Sequence, residues 1–439
     1  MQNAKRTIGI ARWRRARAVH IAALLLVAWV PRALAQQDLC GCQGSPRSLG
    51  AFDGADDTTL PPGATSGFRV RTFPVPPDGV LVFDSFHMRP RPEESCCVGV
   101  TFTGNDANTP VTILVAGDFT FEGGGSFISV RGNDGRTGVN GAAGLGGLGG
   151  PGSYRGGDAA YQAGNQASNG GEGFGPGGGT AATAAPFAGG GGGSFSGTPE
   201  LRPLIGGSGG GGGASTAAGA TCAGGGGGGG GGAILIVANG TITIGDNTQI
   251  VADGGNGGPP NDGSCSSGGG GGSGGAIRLV AQHILSVGNA LLFARGGSPN
   301  GAPGRIRFET PLDEFRVDGT TPVALRTLVP AAIVDPLAPS VAIATVGGQA
   351  VPIPPQGARG GIDVFLSTPG LVSVGLASSG VPGGTLVDVR AKPRLGGAGT
   401  TNSATLGSCS GAGACSASTV FDLSAGAWVL EALATFHTP

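Results

Sequence analysis

Two segments of the chain can be laid over one another almost residue for residue. GGAILIVANGTITIGDNTQIVADGG starts at Gly231 and GGAIRLVAQHILSVGNALLFARGG at Gly274. At an offset of 43 residues Ile234 meets Ile277, Ile236 meets Leu279, Ala238 meets Ala281, Ile244 meets Val287 and Gly245 meets Gly288. VTILVAGDFTFEGGGSFISVRG, from Val111 to Gly132, follows the same plan with a small gap, and GRIRFE from Gly304 opens a fourth copy and stops. Each copy holds three short runs of alternating apolar residues, such as Ala233 to Val237, Thr241 to Ile244 and Gln249 to Ala252, separated by Asn-Gly or Gly-Asp-Asn turns. Alternation over four or five residues makes a strand with one buried face. A three-strand unit that recurs as a whole buries its apolar residues by stacking copies, so the pattern predicts a parallel β-helix rather than an antiparallel sandwich. FRVRTFPVPPDGVLVFDSF and then VGVTFTG are read as an irregular first coil or cap, with the Cys96-Cys97 excursion between its strands.

Long insertions leave equivalent positions, after Arg131-Gly132, Asp253-Gly254 and Arg295-Gly296, and shorten down the chain. The first opens with GNDGRTGVNGAAGLGGLGGPG, with glycine at every third position from Gly132 to Gly150. Three residues per turn is the period of polyproline II geometry, in which glycine allows close backbone approach. A collagen trimer is excluded, because the run is short, poor in proline and loses its frame after Ser153. Later runs, GGGSFSG, GGSGGGGGAS and CAGGGGGGGGG, leave two readings of residues 132–230: a packed bundle of polyglycine-type strands or a mobile loop.

GNDANTPVTILVAGDFTF, GGGGGAILIVANGTITI, GGGGGSGGAIRLVA and GRIRFE together resemble a group of uncharacterised, exported bacterial glycine-rich β-helix proteins and, more loosely, β-helical surface adhesins. The resemblance spans about Gly99 to Glu309; it implies an architecture and no chemistry. A rank of Thr-X-Thr motifs that could match ice is not sustained, since Thr241-Ile242-Thr243 has no counterpart at Ile284-Leu285-Ser286.

The remaining chain sets the domain plan. A basic segment, the apolar run IAALLLVAWV and Ala33-Leu34-Ala35 predict a signal peptide over residues 1–35, too short in its apolar part to span a bilayer. Arg14-Arg15 hints at twin-arginine export, leaving the choice of export route open, and no lipid-anchor setting surrounds Cys40. Residues 36–110 are assigned to an N-terminal cap and first coil, 111–310 to the β-helix repeats carrying the glycine-rich insertion 132–230, 311–332 to a cap and connection, and 333–439 to a β-sandwich. The last assignment rests on SVAIATV, GIDVFLS, LVSVGLA, TLVDVRAKP, STVFDLS and AWVLEALATF, strand-like runs at the spacing of an immunoglobulin-like sandwich. The fold class is therefore all-β: a parallel β-helix with a large polyglycine-like insertion, followed by an immunoglobulin-like sandwich.

All eight cysteines follow the signal segment, and in an exported chain they read as disulfides. Cys222 with Cys265 and Cys409 with Cys415 are the expected pairs. Pairing among Cys40, Cys42, Cys96 and Cys97 stays open, with adjacent Cys96 and Cys97 expected to take different partners. Only 12% of residues are charged and the net charge is −1, which gives no footprint for nucleic acid or anionic membrane. No cofactor signature and no metal motif stand out, and no sequence feature sets an oligomeric state. Histidines after the signal segment are His87, His283 and His437, and Ser194 and Ser196 lack a nucleophile-elbow setting. A glycan-cleaving β-helix enzyme needs clustered carboxylates, for which Glu122 and Asp246, near one turn of successive copies, are the candidates. The third copy has Asn289 there. Stacking of Arg131, Asp253 and Arg295 on neighbouring coils would make either a structural ion ladder or the wall of a binding groove. The expected function is a secreted or cell-surface structural and adhesive protein, non-catalytic, attached to glycan, matrix or surface. The alternative is a polysaccharide lyase or glycosidase.

Overall fold

The structure is a computed structural model and describes residues 38–435 except 95, 140–141, 161–166, 186–187, 217–221, 331–332, 334–338, 354, 356, 358–360, 395–398, 408 and 411–413. The predicted signal segment 1–35, Gly141 and His437 lie outside the described residues. No α-helix occurs among the described residues, and most of the strands lie in two parallel sheets.

The strands Val111–Val115, Ala233–Ile244, Ala276–Ser286 and Arg305–Glu309 stack side by side in one sheet, with Ile113, Ile236, Leu279 and Phe308 in a single rank. The second sheet stacks Phe127–Ser129, Gln249–Val251 and Leu291–Phe293, with Ile128, Ile250 and Leu292 in rank. Inward residues from both sheets form one core, fully buried at Ile113, Ile236, Ile244, Leu279 and Phe308. The run AILIVA is apolar without alternation because its outer side is covered too. There Leu235 and Val237 pack with Val82, Leu114, Val280 and Cys42 beneath Leu39 and Leu204.

Two features differ from the expected repeat. The offset of 43 holds from Ile234↔Ile277 to Ala238↔Ala281, but a bulge follows, and Thr241 then pairs with His283 and Ile244 with Ser286 rather than Val287. Val287 is displaced to the surface. Asn239-Gly240 holds the extra residue. The fourth copy also does not stop at Glu309: Leu312–Glu314 pairs with His283–Leu285, and Thr320–Thr321 with Leu292–Phe293. Upstream, Val80–Phe83, Ser85–Met88 and Gly99–Thr103 form a further full unit on the same ranks. Phenylalanines fill its interior, Phe86 stacking on Phe119 with centroids 4.7 Å apart.

The glycine-rich insertion is hydrogen-bonded throughout its described parts. Along Gly226 to Gly231, successive N–H groups donate to three neighbours in rotation: Gly226 and Gly229 to the carbonyls of Arg136 and Asn133, Gly227 and Gly230 to those of Gly157 and Tyr154, Gly228 and Gly231 to those of Gly270 and Ser273. The carbonyls of the same strand accept from three others, Gly144, Gly147 and Gly150 on one, Gly207, Gly210 and Gly213 on the next, Gly255 and Gly258 on the last. A strand with three residues per turn presents three faces, and this one has six neighbours. Along the triplet run, side chains stand where a face meets solvent: Gly144, Gly147 and Gly150 are buried while Leu145 and Leu148 are exposed.

At the C-terminal end, Ser340–Val346, Gln349–Ala350, Gly370–Ser379 and Cys415–Leu423 make one antiparallel sheet, and Leu386–Pro393, Thr400–Thr405 and Trp428–Ala434 another. Val374, Leu376 and Phe421 from the first share a core with Val387 and Val389 from the second.

Candidate binding corner

The insertions leave from the residue that follows each strand of the second sheet. Val130, Ala252 and Ala294 point into the core, so the next residues, Arg131, Asp253 and Arg295, point out. Asp253 and Arg295 come together: the Arg295 backbone N–H donates to Oδ1 at 2.7 Å, and its Nε and Nη2 donate to Oδ2 at 3.0 and 2.6 Å. The Arg295 guanidinium also lies 4.0 Å over the ring of Phe293. Arg131 does not extend this pair. Its Nη2 donates to Asp134 at 2.6 Å, and Asp134 also accepts from the Asn256 N–H. The backbone supplies the link between these neighbouring chains, with Gly132 N–H donating to Asp253 O and Gly254 N–H to Arg295 O.

Beside Arg131 an open cleft of about 520 Å³ is lined by Thr101, Thr103, Asn108, Ser129, Asn133 and Leu148. Its size is that of a small-ligand site, and its walls carry hydroxyls and amides beside the Arg131–Asp134 ion pair.

Glu122 and Asp246, the candidate catalytic acids, each have a hydrogen-bonding partner, as does Glu309. Because Phe121 pairs with Ile244, Glu122 stands opposite Gly245, and Asp246 lies one residue further along. Glu122 meets His87 Nε2 at 3.2 Å, while Asp246 accepts from the Asn289 N–H at 2.6 Å and from Asn247 Nδ2 at 3.1 Å. Glu309 is buried and accepts from Arg278 at 2.9 and 3.0 Å and from Arg307 at 2.7 Å. His283 faces Glu314 at 3.1 Å. Ser194 is part of the bundle, its N–H donating to Gly177 O. Among the described residues the one group of candidate metal donors is Asp38, Cys40 and Cys42, and both thiols there are consumed in a disulfide.

Cys40–Cys42, Cys222–Cys265 and Cys409–Cys415 are bonded. Cys96 and Cys97 are free thiols, so the expectation of different partners for them is corrected: no other cysteine is left to receive either one.

A charged seam between the bundle and the C-terminal sheets escaped the sequence reading. Lys392 is fully buried; its Nζ donates to Gly173 O at 2.9 Å and pairs with Glu431 at 2.7 Å, and Glu431 accepts from the Gly175 N–H at 2.6 Å. Arg394 donates to buried Asp158 at 3.0 Å, and Arg390 forms an ion pair with buried Glu172 at 2.7 Å. Burial holds the Arg155 guanidinium, the other partner of Asp158, below its usual range, and pushes the neighbouring Tyr154 phenol up. Arg390 and Lys392 alternate along the strand Leu386–Pro393 and Arg394 follows it directly, while Val387, Val389 and Ala391 face the core. Three basic residues at period two, in a chain so poor in charge, are the signal that could have located the seam.

No known protein family, curated protein or solved structure matches this chain.

Proposed function

We propose that the chain is a secreted or cell-surface structural and adhesive protein that attaches to glycan, matrix or a surface without catalysis. In this reading the two parallel sheets are walls of a β-helix solenoid, the insertion is a polyglycine-type bundle grown from one of its corners, and the C-terminal sheets are an immunoglobulin-like sandwich. The observation that carries it is the six-neighbour bonding around Gly226 to Gly231. A strand bonded on all its faces has the order of a scaffold, and loose tethers have no use for it. The seam, in which Lys392 Nζ donates to Gly173 O and the Gly175 N–H donates to Glu431, joins that bundle to the following sheets, as a stiff display device requires. The polar cleft beside Arg131 is the surface we assign to glycan contact, because its hydroxyl and amide lining matches the hydrogen-bonding groups of sugars.

The test is a glycan array paired with a polysaccharide degradation panel, run on wild type, Arg131→Ala, Glu122→Gln and Asp246→Asn. Binding that is lost in Arg131→Ala, with no product released by any form, is the expected result. Turnover abolished by Glu122→Gln or Asp246→Asn would replace this reading with that of a lyase or glycosidase.

A further inference from the structure

Six of the eight cysteines are closed into three disulfides, and the remaining two are consecutive. Cys96 and Cys97 end the excursion between Ser85–Met88 and Gly99–Thr103, and both sides of the dipeptide are fixed. On one side Glu94 is buried and accepts from Arg71 Nη1 at 2.7 Å, the Arg91 N–H at 2.9 Å and the Arg69 N–H at 3.1 Å. The Cys96 N–H donates to Glu94 O at 2.7 Å. On the other side the Val98 N–H donates to Ser126 Oγ at 3.0 Å. Between these anchors Cys96 is exposed, while Cys97 is half-buried and backs onto the turn at Gly125. The adjacent Cys96 thiol, with burial, holds the Cys97 thiol above its usual range.

We propose that Cys96-Cys97 is a thiol–disulfide exchange site whose oxidised form is a disulfide between the two neighbours and whose co-substrate is an accessible disulfide, R–S–S–R. The exposed Cys96 thiolate attacks one sulfur of R–S–S–R, forming a mixed disulfide and expelling the first R–S⁻. Cys97 then gives up its proton and attacks the Cys96 sulfur, expelling the second R–S⁻. The pair is oxidised by two electrons, R–S–S–R is reduced to two R–SH, and the two protons come from the cysteines. The asymmetry of the site assigns the order, since the thiolate that an incoming disulfide can reach is the exposed one. Closure across a single peptide bond brings together Cα atoms about 3.8 Å apart, less than disulfides usually span, so the ring is strained and readily reopened. Exchange at this site is therefore reversible.

The full chain, with Cys96 and Cys97 reduced, is treated with glutathione disulfide and followed by intact mass and peptide mapping. Wild type is expected to lose two hydrogens, retain no glutathione and yield a peptide with Cys96 and Cys97 joined. Cys97→Ser is expected to hold one glutathione, and Cys96→Ser to take up at least tenfold less in the same time. Glutathione retained on both cysteines of wild type, a disulfide-linked dimer as the main product, or equal uptake by Cys96→Ser and Cys97→Ser would each overturn the proposal. The peptide map needs no variant, so it decides the case even where a substitution disturbs folding.

Discussion

Replacing Gly227 by alanine tests whether the insertion is held by its backbone. A Cβ at this position would lie well inside 3.0 Å of Gly210 O, and the obstacle is main chain, which cannot swing away as a side chain can. Restoring contact requires the two strands to part by about 1 Å, which takes a hydrogen bond of ordinary length out of range. The bonds at stake are Gly210 N–H to Gly228 O and Gly227 N–H to Gly157 O, both 2.9 Å and both buried. Losing the two buried bonds costs about 1–3 kcal/mol each, and alanine returns about 0.4–1 kcal/mol through the unfolded chain, so the net loss centres on about 3 kcal/mol. Because the effect is local, hydrogen exchange read by mass spectrometry on peptides covering residues 132–160 and 206–232 is the assay. Amide protection there should fall by about 30- to 700-fold. Gly263→Ala is the control, since its Cβ would meet nothing within 4 Å. Equal protection in the two variants would refute the close-packed backbone as the source of order.

Three further outcomes follow from the same contacts. Cys222→Ser with Cys265→Ser opens a loop of sequence separation 43, worth up to about 4 kcal/mol by chain entropy, and should expose the bundle to protease between residues 206 and 275 before the C-terminal sheets. Lys392→Met strands the Glu431 carboxylate in the seam and should cost about 3 kcal/mol, measured by urea unfolding, with much of the loss recovered in Lys392→Met/Glu431→Gln. The hydrogen bond from Arg89 holds the Asp53 carboxyl below its ordinary 3.8, against partial burial, with the Ala55 N–H assisting. A depressed carboxyl contributes stability above its ordinary value and loses it as pH falls through the lower folded value. Arg89→Gln should therefore be less stable than wild type at neutral pH, and the gap should shrink below pH 3.8.

What could be read in the sequence depended on whether a residue's neighbours repeat with it. Ile234 and Ile277 were aligned because core positions stack on their own counterparts. The slip after Ala238 was hidden because the extra residue follows a local demand: Asn239 Oδ1 accepts from the Leu39 and Cys40 N–H groups at 2.7 and 3.2 Å, a contact to sequence 200 and 199 residues away. The fourth copy is legible only as far as Glu309 because Leu312–Glu314 follows Pro311 and places an acid, Asp313, in the rank of buried Ile284, leaving no apolar alternation to see. At the corner, Asp253 and Arg295 were predictable as rank neighbours, whereas Arg131 turned to Asp134, three residues ahead in its own insertion. Lys392 and Glu431 were invisible as a pair with Gly173 because the bundle's path is set by glycines that carry no address.

The place from which the bundle grows has a physical reason. Strands in a sheet lie about 4.8 Å apart, and that separation is fixed by the N–H···O bond and not by side chains. When neighbouring strands leave the second sheet together, their chains start at hydrogen-bonding distance, as Gly132 N–H to Asp253 O at 2.9 Å and Gly254 N–H to Arg295 O at 2.8 Å record. To stay that close on every side, and not only within one sheet plane, each residue facing a neighbour must lack a Cβ. The returning run reaches the sheet in the same way, with Gly231 N–H on Ser273 O and Gly232 N–H on Val130 O. The parallel sheets thus act as the template that fixes the first contacts of the bundle at both ends. That anchoring offsets part of the ordering entropy that glycine-rich chain would otherwise lose, about 1 kcal/mol per residue beyond alanine.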